Sequence, residues 1–365
     1  MKIVSTSYSK TTEFTDPEKW LERINFYTGI LEELAKRHEV ISIERINYEG
    51  ELKQGGVHYF FIRQKKKITR FPRRMHRLIK QHKPGAVLVN GLIFPWQVIQ
   101  LRLKLGRSVK IICIHRSEKP STGIKKYLQR FAGRFVDAYL FTSSEFGKDW
   151  VKKGNIGSMQ KIHEVMHGSS VFHPANRADA RSLLHVTGSP VFLWVGRLND
   201  NKDPLAVVKG FKKFLLHQPS ASLYMIYHTE ELLGEIKKLI ADAENIKLIG
   251  KVEHSELQNW YNAADFMVSG SHYEGGGIAI CEAMSCGCIP LITDIIAFRK
   301  MTGPGKCGLL YPAGNDDELL VALLKTKSMD IEKERIKVLQ QFKEELSFEA
   351  IAGKIDRVIS LLNKE

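Results

Sequence analysis

Apolar and polar residues follow two recurring patterns along this chain. Short apolar runs typical of buried strands are separated by stretches in which apolar residues recur three or four positions apart, as on one face of a helix. Strands are predicted in the first half at residues 2–7, 39–46, 57–63, 86–90, 109–114 and 138–142, with 57–63 as the hairpin partner of 39–46. Helices are predicted at residues 20–34, 69–82, 95–105 and 122–134. This alternation predicts a parallel, doubly wound sheet.

The same pattern begins again after a linker at residues 165–176 that contains Gly168 and Pro174. Strands are predicted at 191–195, 221–227, 246–249, 266–269 and 289–292, and helices within 201–216, 230–243, 256–263 and 277–286. We therefore expect an α/β fold with two Rossmann-like, doubly wound domains, residues 1–168 and 169–346, facing a cleft. A final amphipathic helix at about 347–365 could cap either domain, including by crossing back to the first.

Positive charge is concentrated in the first half of the chain. The net charge is +15, and residues 1–172 contain 32 Lys/Arg against 15 Asp/Glu, whereas residues 173–365 contain 23 against 25. Residues 63–83 alone hold ten cations and no acid; these are Arg63, Lys65, Lys66, Lys67, Arg70, Arg73, Arg74, Arg77, Lys80 and Lys83. The two domains are therefore expected to meet different partners.

Three interpretations of residues 63–83 remain open. The segment can be a solvated surface helix that packs on the sheet through its interleaved apolar residues, which are Ile68, Phe71, Met75, Leu78 and Ile79. It can dock on an anionic membrane, or bind an acceptor that is itself acidic. No nucleic acid is expected as a partner, because the segment has no aromatic stacking platform and no recognised reader motif.

The remaining composition points to a cytoplasmic protein. No stretch approaches the roughly 20 apolar residues of a membrane-spanning helix, and the N-terminus resembles a first strand more than a signal peptide. Cys286 and Cys288 flank a glycine, but no further ligand lies at metal-binding spacing, so the five cysteines are interpreted as buried thiols. We expect a cytoplasmic location, with peripheral attachment to the inner face of the membrane if the basic segment binds lipid.

Candidate chemistry is densest between Ser271 and Pro290. A strand is predicted to end just before this segment, Gly275, Gly276 and Gly277 follow, and a helix is predicted over residues 277–286. Glycines allow the backbone to approach a ligand, and the free amides at a helix start favour an anion such as phosphate. A tight turn with glycines kept for packing is the alternative.

Two glutamates favour the ligand interpretation. Seven residues separate Glu274 from Glu282. An acid–base pair in a hydrolase needs carboxylates about 5–10 Å apart, whereas eight helical residues span about 12 Å. The two carboxylates therefore suit the hydroxyl groups of two different sugars, with a diphosphate between them at the helix start.

A second polar loop follows the predicted strand at 191–195 and supplies positive charge. Gly196, Arg197 and Lys202 lie there, where Arg197 can bind a phosphate bidentately and Lys202 adds a point charge. Taken alone these cations would be a solvated loop, but together with the glutamates they complete a site for a sugar joined to a nucleoside diphosphate.

These motifs resemble the retaining glycosyltransferases of family 4, which have the GT-B fold. The matching segments are Gly196–Leu198, Lys202 with Asp203, Tyr261–Asp265, Glu274–Gly277, Glu282–Pro290 and Gly308–Pro312. The resemblance implies that Arg197 and Lys202 neutralise the diphosphate. It also implies that Glu274 and the amides of residues 275–278 hold the transferred sugar and that Glu282 binds the ribose. Transfer would then retain the anomeric configuration and need no metal or cofactor.

The first half matches that family less closely. Its first loop, residues 7–12, lacks the paired glycines that the family often has there. His115 follows a predicted strand and resembles the histidine that the family places near the transferred sugar, although a structural role is the alternative. The resemblance implies a UDP- or GDP-linked hexose as donor and a glycan or lipid-linked hydroxyl as acceptor, in cell-surface polysaccharide or glycolipid synthesis. A nucleotide-sugar epimerase or hydrolase and a catalytically silent sugar-nucleotide-binding subunit remain as alternatives.

Overall fold

The computed structural model describes residues 1–9, 11–63 and 70–364. Contacts divide the chain into two compact units: unit 1 is Met1–Ser169 with Phe348–Glu365, and unit 2 is Ser170–Ser347. Each unit is an α/β domain built on a mainly parallel sheet, which confirms the predicted fold class.

The sheet of unit 1 contains eight strands in the described part of the chain. In chain order they are β1 (Lys2–Ser7), β2 (Glu39–Glu44), β3 (Gly50–Gln54), β4 (Val57–Phe61), β5 (Ala86–Asn90), β6 (Lys110–Ile114), β7 (Ala138–Phe141) and β8 (Ile162–Glu164). Their spatial order is β3-β4-β2-β1-β5-β6-β7-β8. The direction of winding changes between β1 and β5, so these two strands form the switch point of the sheet.

The predicted hairpin of residues 39–46 with 57–63 is wrong. β2 pairs with β4 in parallel, in the register Val40 to Val57. The antiparallel partner of β4 is β3, and the turn between them is made by Gly55 and Gly56, both with positive φ. β3 was not expected because it is a polar edge strand with no buried residue, so it carries no apolar pattern.

Helices connect the strands of unit 1. They are α1 (Pro17–Arg23), α2 (Asn25–Ala35), α3 (Arg73–Gln81), α4 (Pro95–Leu105), α5 (Gly123–Ala132) and α6 (Ser144–Lys152). The predicted helix at 20–34 is divided at Ile24, whose backbone leaves the helical region. α3 begins only at Arg73, after Pro72, and buries Met75 and Ile79 in the core.

The sheet of unit 2 has six parallel strands among the described residues. They are β9 (Val191–Gly196), β10 (Ser222–Tyr227), β11 (Ile246–Gly250), β12 (Phe266–Ser269), β13 (Ile289–Thr293) and β14 (Leu309–Tyr311). Their order, β11-β10-β9-β12-β13-β14, is that of a dinucleotide-binding fold, with its switch point between β9 and β12.

Unit 2 is completed by helices on its sheet. They are α7 (Arg177–Leu184), α8 (Pro204–Leu215), α9 (Leu233–Leu239), α10 (Leu257–Ala263), α11 (Ile278–Ser285), α12 (Ile296–Thr302), α13 (Asp316–Lys325) and α14 (Ile331–Gln341), which a π-helical turn at Phe342–Leu346 follows. Buried Asp265 joins α7 to the sheet: its carboxylate accepts from Arg181 Nη2 at 2.7 Å and from the Val191 amide at 2.8 Å. Asp265 therefore has a structural role.

The final helix, α15 (Phe348–Leu362), belongs to unit 1. It packs on α2, where the ring of Phe348 lies so close to Gly29 that a Cβ there would approach it to 2.7 Å. Asp356 binds His38 Nε2 at 2.8 Å and Arg37 Nη2 at 2.7 Å. The chain therefore passes from unit 1 into unit 2 and returns.

Candidate functional site

The site predicted in unit 2 lies where the winding of its sheet changes. β9 and β12 are neighbours, and their carboxyl ends continue into the loops 197–203 and 270–277. Ligands of doubly wound sheets bind at such a position because two loops diverge there and leave a crevice. Gly196 is the last residue of β9, and the other predicted site residues of this unit apart from Glu282 lie on these loops or at the start of the helix that follows; these are Arg197, Lys202, Glu274, Gly275, Gly276, Gly277 and Ile278.

The first loop is anchored to the domain through Leu198 and leaves Arg197 exposed. Leu198 is fully buried, its amide donates to Thr229 Oγ1 at 2.9 Å, and its carbonyl accepts from the Leu232 amide at 3.1 Å. Arg197, one residue earlier, is exposed and has no carboxylate partner among the described residues. Its guanidinium is therefore available for an anionic ligand.

Hydrogen bonds join the two loops. The His272 amide donates to the Asn201 carbonyl at 2.8 Å, and the Asn201 side-chain amide donates to the Tyr273 carbonyl at 3.1 Å. His272 Nε2 also lies 2.9 Å from Asp203 Oδ2. A Cβ at Gly270 would come within 2.8 Å of the Asp203 carbonyl. The absence of a side chain at Gly270 thus lets the loops approach closely enough to act as one surface.

Lys202 and Glu274 form an ion pair across these loops. The lysine side chain is 26% exposed and the glutamate side chain 15% exposed, so both are only partly hydrated. A ligand with an anionic group and hydroxyl groups can replace this pair, binding the ammonium through the anion and the carboxylate through the hydroxyls. The structure thus brings together the two residues that the sequence predicted to contact the phosphate and the sugar.

α11 begins directly beside this pair. Gly277 precedes it with φ near +55°, and a Cβ there would lie 2.8 Å from the Phe298 ring, so the position favours glycine. Gly275, Gly276 and Gly277 are buried, and no described side chain caps the helix. The Ile280 amide already donates to the Gly277 carbonyl at 2.9 Å, so the amide at the very start of the helix, that of Ile278, is available to an anion.

Glu282 lies one turn into α11 and is held by two neighbours. It is buried, its Oε2 accepts from the Tyr261 hydroxyl at 3.0 Å, and its Oε1 lies 2.8 Å from His254 Nε2. Burial raises the pKa of Tyr261, and the Glu282 carboxylate raises it further, so the phenol is a neutral hydrogen-bond donor at physiological pH. The carboxylate is thereby kept in one orientation, as recognition of a sugar hydroxyl requires.

Sequence reasoning did not identify these supporting residues. In the sequence, Tyr261 stands out only as part of a motif that matches the family, and His254, Asn201 and His272 carry no signal of their own. A phenol and an imidazole that reach one carboxylate from 21 and 28 residues away leave no periodic signal in a sequence. His254 lies in the mostly polar segment 251–256, between β11 and α10, and this polarity is the one signal in the sequence that indicates a site residue there.

His115 lies in unit 1, directly after β6. Its ring is 1% exposed, stacks on Phe141 with centroids 4.7 Å apart, and contacts Trp150 edge-on. Nε2 lies 2.9 Å from the Glu118 carbonyl, and Nδ1 is buried without a partner among the described residues. Burial lowers the pKa of His115, so the ring is neutral. Its predicted catalytic role stays a prediction.

The basic segment 63–83 is described only in part. Lys65, Lys66, Lys67 and Ile68 lie outside the described residues. On α3 the apolar residues point inward: Met75 and Ile79 are buried in the core, while Arg73, Arg77 and Lys80 are exposed. α3 is therefore an amphipathic helix packed on the sheet with a charged outer face. Lys10, in the first loop, is also outside the described residues.

All five cysteines are buried thiols, as predicted. Burial raises the pKa of Cys286 and of Cys307 to about 12, and that of Cys288 well above its usual value. Within the described residues no three His, Cys, Asp or Glu side chains are arranged to hold a metal ion. None of the helices in residues 1–9, 11–63 and 70–364 has the length and apolar character needed to cross a membrane.

Comparison with known proteins identifies the unit that contains the site. Residues 176–340 match the family model of the glycosyl transferases group 1. The second unit is a group 1 glycosyltransferase domain. The resemblance inferred from the motifs is confirmed at this level, since residues 176–340 include both loops, α11 and Glu282.

Curated relatives are similar to part of this chain. The chain is 33% identical over 228 residues to the lipopolysaccharide core biosynthesis mannosyltransferase LpsB of Rhizobium meliloti, covering 59% of this chain and 61% of that protein. It is 24% identical over 161 residues to the D-inositol 3-phosphate glycosyltransferase of Streptosporangium roseum, covering 41% of this chain. The match spans only 37% of the length of that relative.

A solved structure shows the same fold over the whole chain. The Anabaena protein HepE, determined in complex with UDP, superposes with a TM-score of 0.74 at 14% identity, covering 99% of this chain and all of that one. The shared fold is GT-B, as the sequence predicted.

Proposed function

We propose that this glycosyltransferase moves a hexose from a UDP- or GDP-linked donor to a hydroxyl acceptor with retention of configuration. One observation carries the proposal: Lys202 and Glu274 meet at the switch point of the sheet, beside an uncapped helix N-terminus and an exposed Arg197. Positive groups for a diphosphate and a carboxylate for sugar hydroxyls are thus placed on one surface. The UDP bound to HepE and the mannosyltransferase name of LpsB support a nucleotide-sugar donor.

Each residue has a definite task in this proposal. Arg197, Lys202 and the first amides of α11 bind the diphosphate and stabilise the negative charge that develops on it as it leaves. Glu274 and the backbone from Gly275 to Ile278 orient the hexose, and Glu282 binds the ribose. Arg197 and Lys202 supply the charge that a metal ion would otherwise supply, so the reaction is proposed to need no metal.

The proposed transfer requires no nucleophile from the protein. The bond between the anomeric carbon and the diphosphate oxygen breaks, and the acceptor oxygen bonds to the same carbon from the same face. The acceptor proton passes to the departing diphosphate. We propose that His115 assists near the transferred sugar, and that the acceptor is a glycan or lipid-linked intermediate of cell-surface polysaccharide or glycolipid synthesis. The charged face of α3 would support peripheral membrane attachment.

Binding and product analysis test the proposal. A thermal-shift panel of UDP- and GDP-hexoses should raise the melting temperature with at least one donor, because a ligand that binds only the folded state stabilises it. Radiolabelled donor should then give a glycosylated acceptor whose new linkage has the anomeric configuration of the donor. Release of free sugar alone would indicate a hydrolase and an altered nucleotide sugar an epimerase, while binding without turnover would indicate a silent subunit.

A further inference from the structure

Helix α5 exposes an apolar stripe that no other part of unit 1 covers in the described structure. Ile124 is 87% exposed, Tyr127 68% and Phe131 45%. Positions three and four residues apart lie on one face of a helix. Single exposed apolar side chains are normal on a soluble protein, but three on one face form a patch that indicates a binding surface.

Cations surround this stripe. Lys125, Lys126, Arg130 and Arg134 accompany the three apolar residues, and residues 119–136 contain no acid. The Lys126 ammonium lies 5.9 Å from the centre of the Tyr127 ring, and the Arg134 guanidinium lies 5.5 Å from that of Phe131. An apolar face bordered by cations and aromatic rings is the pattern of a helix that lies in a membrane interface.

A polar cavity adjoins the stripe. It has a volume of about 360 Å³ and lies between α5, the turn Gly133–Phe135 and residues 156–161. Arg130, Arg134 and Lys161 line it together with Tyr127 and Phe131, and no acid does. Lys161 Nζ is fixed there by the carbonyls of Gly133 and Val136 at 3.0 and 2.6 Å. Three cations around one cavity suit a phosphate group.

The basic helix α3 lacks such a stripe, although it lies in the same layer of helices. α4 packs against both α3 and α5, so their outer faces lie on the same side of the sheet. α3 presents charge but buries Met75 and Ile79. Electrostatic attraction can therefore arise from both helices, whereas insertion into a bilayer requires the apolar side chains of α5.

We propose that α5 docks this protein on the surface of an anionic phospholipid bilayer. Ile124, Tyr127 and Phe131 enter the boundary between headgroups and acyl chains, and the cavity receives a headgroup phosphate. This surface is independent of the donor site, and it places membrane insertion outside residues 63–83. A membrane is favoured over an acidic protein because the cations flank an apolar stripe along one helix, which suits a flat interface rather than a discrete acidic partner.

Vesicle flotation with matched variants tests the proposal. Wild-type protein should float with phosphatidylcholine vesicles that contain about 30% phosphatidylglycerol, and less with phosphatidylcholine alone. A triple variant, Ile124→Gln, Tyr127→Gln and Phe131→Gln, should lower the partition coefficient about tenfold or more. The matched control, Leu183→Gln, Leu216→Gln and Ile336→Gln, replaces three exposed apolar residues of unit 2 and should bind like wild type. Circular dichroism confirms that both variants fold.

Charge variants separate the two helices. Arg130→Gln with Arg134→Gln should weaken binding to anionic vesicles about thirtyfold, while binding to phosphatidylcholine alone stays unchanged. In a Tyr127→Trp background, Arg73→Gln with Arg77→Gln should weaken binding at low salt but leave insertion intact, measured as a blue shift of the Trp fluorescence on vesicle addition. An α3 variant that abolishes flotation while the α5 triple variant floats normally would overturn the proposal.

The remaining outcomes identify other occupants. Absence of wild-type flotation at low salt overturns the proposal, and binding of inorganic phosphate in calorimetry without vesicle binding would assign the cavity to a soluble ligand. A wild-type dimer that the α5 triple variant converts to monomer would assign the stripe to a second copy of the chain. Sugar transfer to a soluble acceptor is measured without vesicles, so failure of the donor proposal is scored separately.

Discussion

Glu274→Gln gives the sharpest test of the donor site. The carboxylate of Glu274 is paired with Lys202 in the ligand-free protein. If a donor binds as proposed, the diphosphate takes over the lysine and the sugar hydroxyls take over the carboxylate. The substitution keeps the size of the side chain but removes its charge, so it frees Lys202 and weakens the contact with sugar at the same time.

Release of Lys202 favours nucleotide binding, whereas the weaker contact with the sugar disfavours donor binding, and the size of each effect can be estimated. An ion pair with partly exposed partners contributes up to about 1 kcal/mol. Freeing Lys202 should therefore leave the affinity for bare UDP or GDP unchanged or raise it up to about fivefold. A hydrogen bond to a charged group contributes about 1.5–3 kcal/mol, of which a neutral amide keeps roughly half. The hexose contribution should then fall by about three- to twelvefold.

Isothermal titration calorimetry with UDP, GDP and their hexose conjugates measures both quantities. The preference for the nucleotide sugar over the bare nucleotide should decrease by about three- to sixtyfold in Glu274→Gln. Glu334→Gln is a matched control, because Glu334 pairs with Lys337 at 2.8 Å and accepts the Gly308 amide at 2.8 Å, next to the start of β14. The contact between Glu334 and Gly308 lies beside the start of β14, whereas the proposed donor site lies at the carboxyl ends of β9 and β12. The affinities for the bare nucleotide and for the nucleotide sugar should therefore stay at wild-type values.

Two results would refute this reasoning. Equal weakening of bare nucleotide and nucleotide sugar would mean that Glu274 acts only by shaping the loop. Unchanged affinity for both would place Glu274 outside the donor site.

Three further predictions follow from individual contacts. Tyr261→Phe removes one of the hydrogen bonds to Glu282 and should weaken binding of the bare nucleotide about tenfold in calorimetry, with no loss of folding; an equal affinity would remove Glu282 from the ribose. Burial lowers the pKa of His76 to about 4, so the unfolded chain binds a proton first as the pH falls below about 6.5. Denaturant unfolding should show that stability falls between pH 6.5 and 4, with about 2 kcal/mol lost by pH 5, and His76→Gln should remove that part of the slope; an identical slope would contradict the burial argument. Gly308→Ala should lower stability by about 2 kcal/mol or more, because φ is +70° and a Cβ would lie 2.2 Å from the Pro290 carbonyl; an unchanged melting temperature would contradict it.

Most of the fold could be predicted because buried strands leave a strong pattern. β5, β6, β9 and β12 are almost wholly buried, and their apolar runs identify them. β3 and β14 carry little or no such run, since β3 is an exposed edge strand and β14 has only three residues. Gly55 and Gly56 mark the turn between β3 and β4, but β3 has no buried residue, so its pairing with β4 carries no apolar signal and the parallel pairing of β2 with β4 could not be predicted.

The site could be predicted only where a motif defines it. The glycines, Glu274 and Lys202 stand at the ends of predicted strands, and the switch-point rule brings such ends together. The support for Glu282 could not be predicted, because Tyr261 and His254 reach it through tertiary packing. The exposure of the apolar face of α5 could not be predicted either, because a helix that buries its apolar stripe and one that exposes it have the same periodicity in sequence.

The return of α15 to unit 1 has a consequence for how the protein is made. Unit 1 lacks the partner of α2 until residues 348–362 have left the ribosome, whereas every residue of unit 2 has been synthesised before them. Domains generally fold as units during synthesis. Unit 2, the half proposed to bind the donor, is thus expected to complete its fold before unit 1, although most of unit 1 is synthesised earlier.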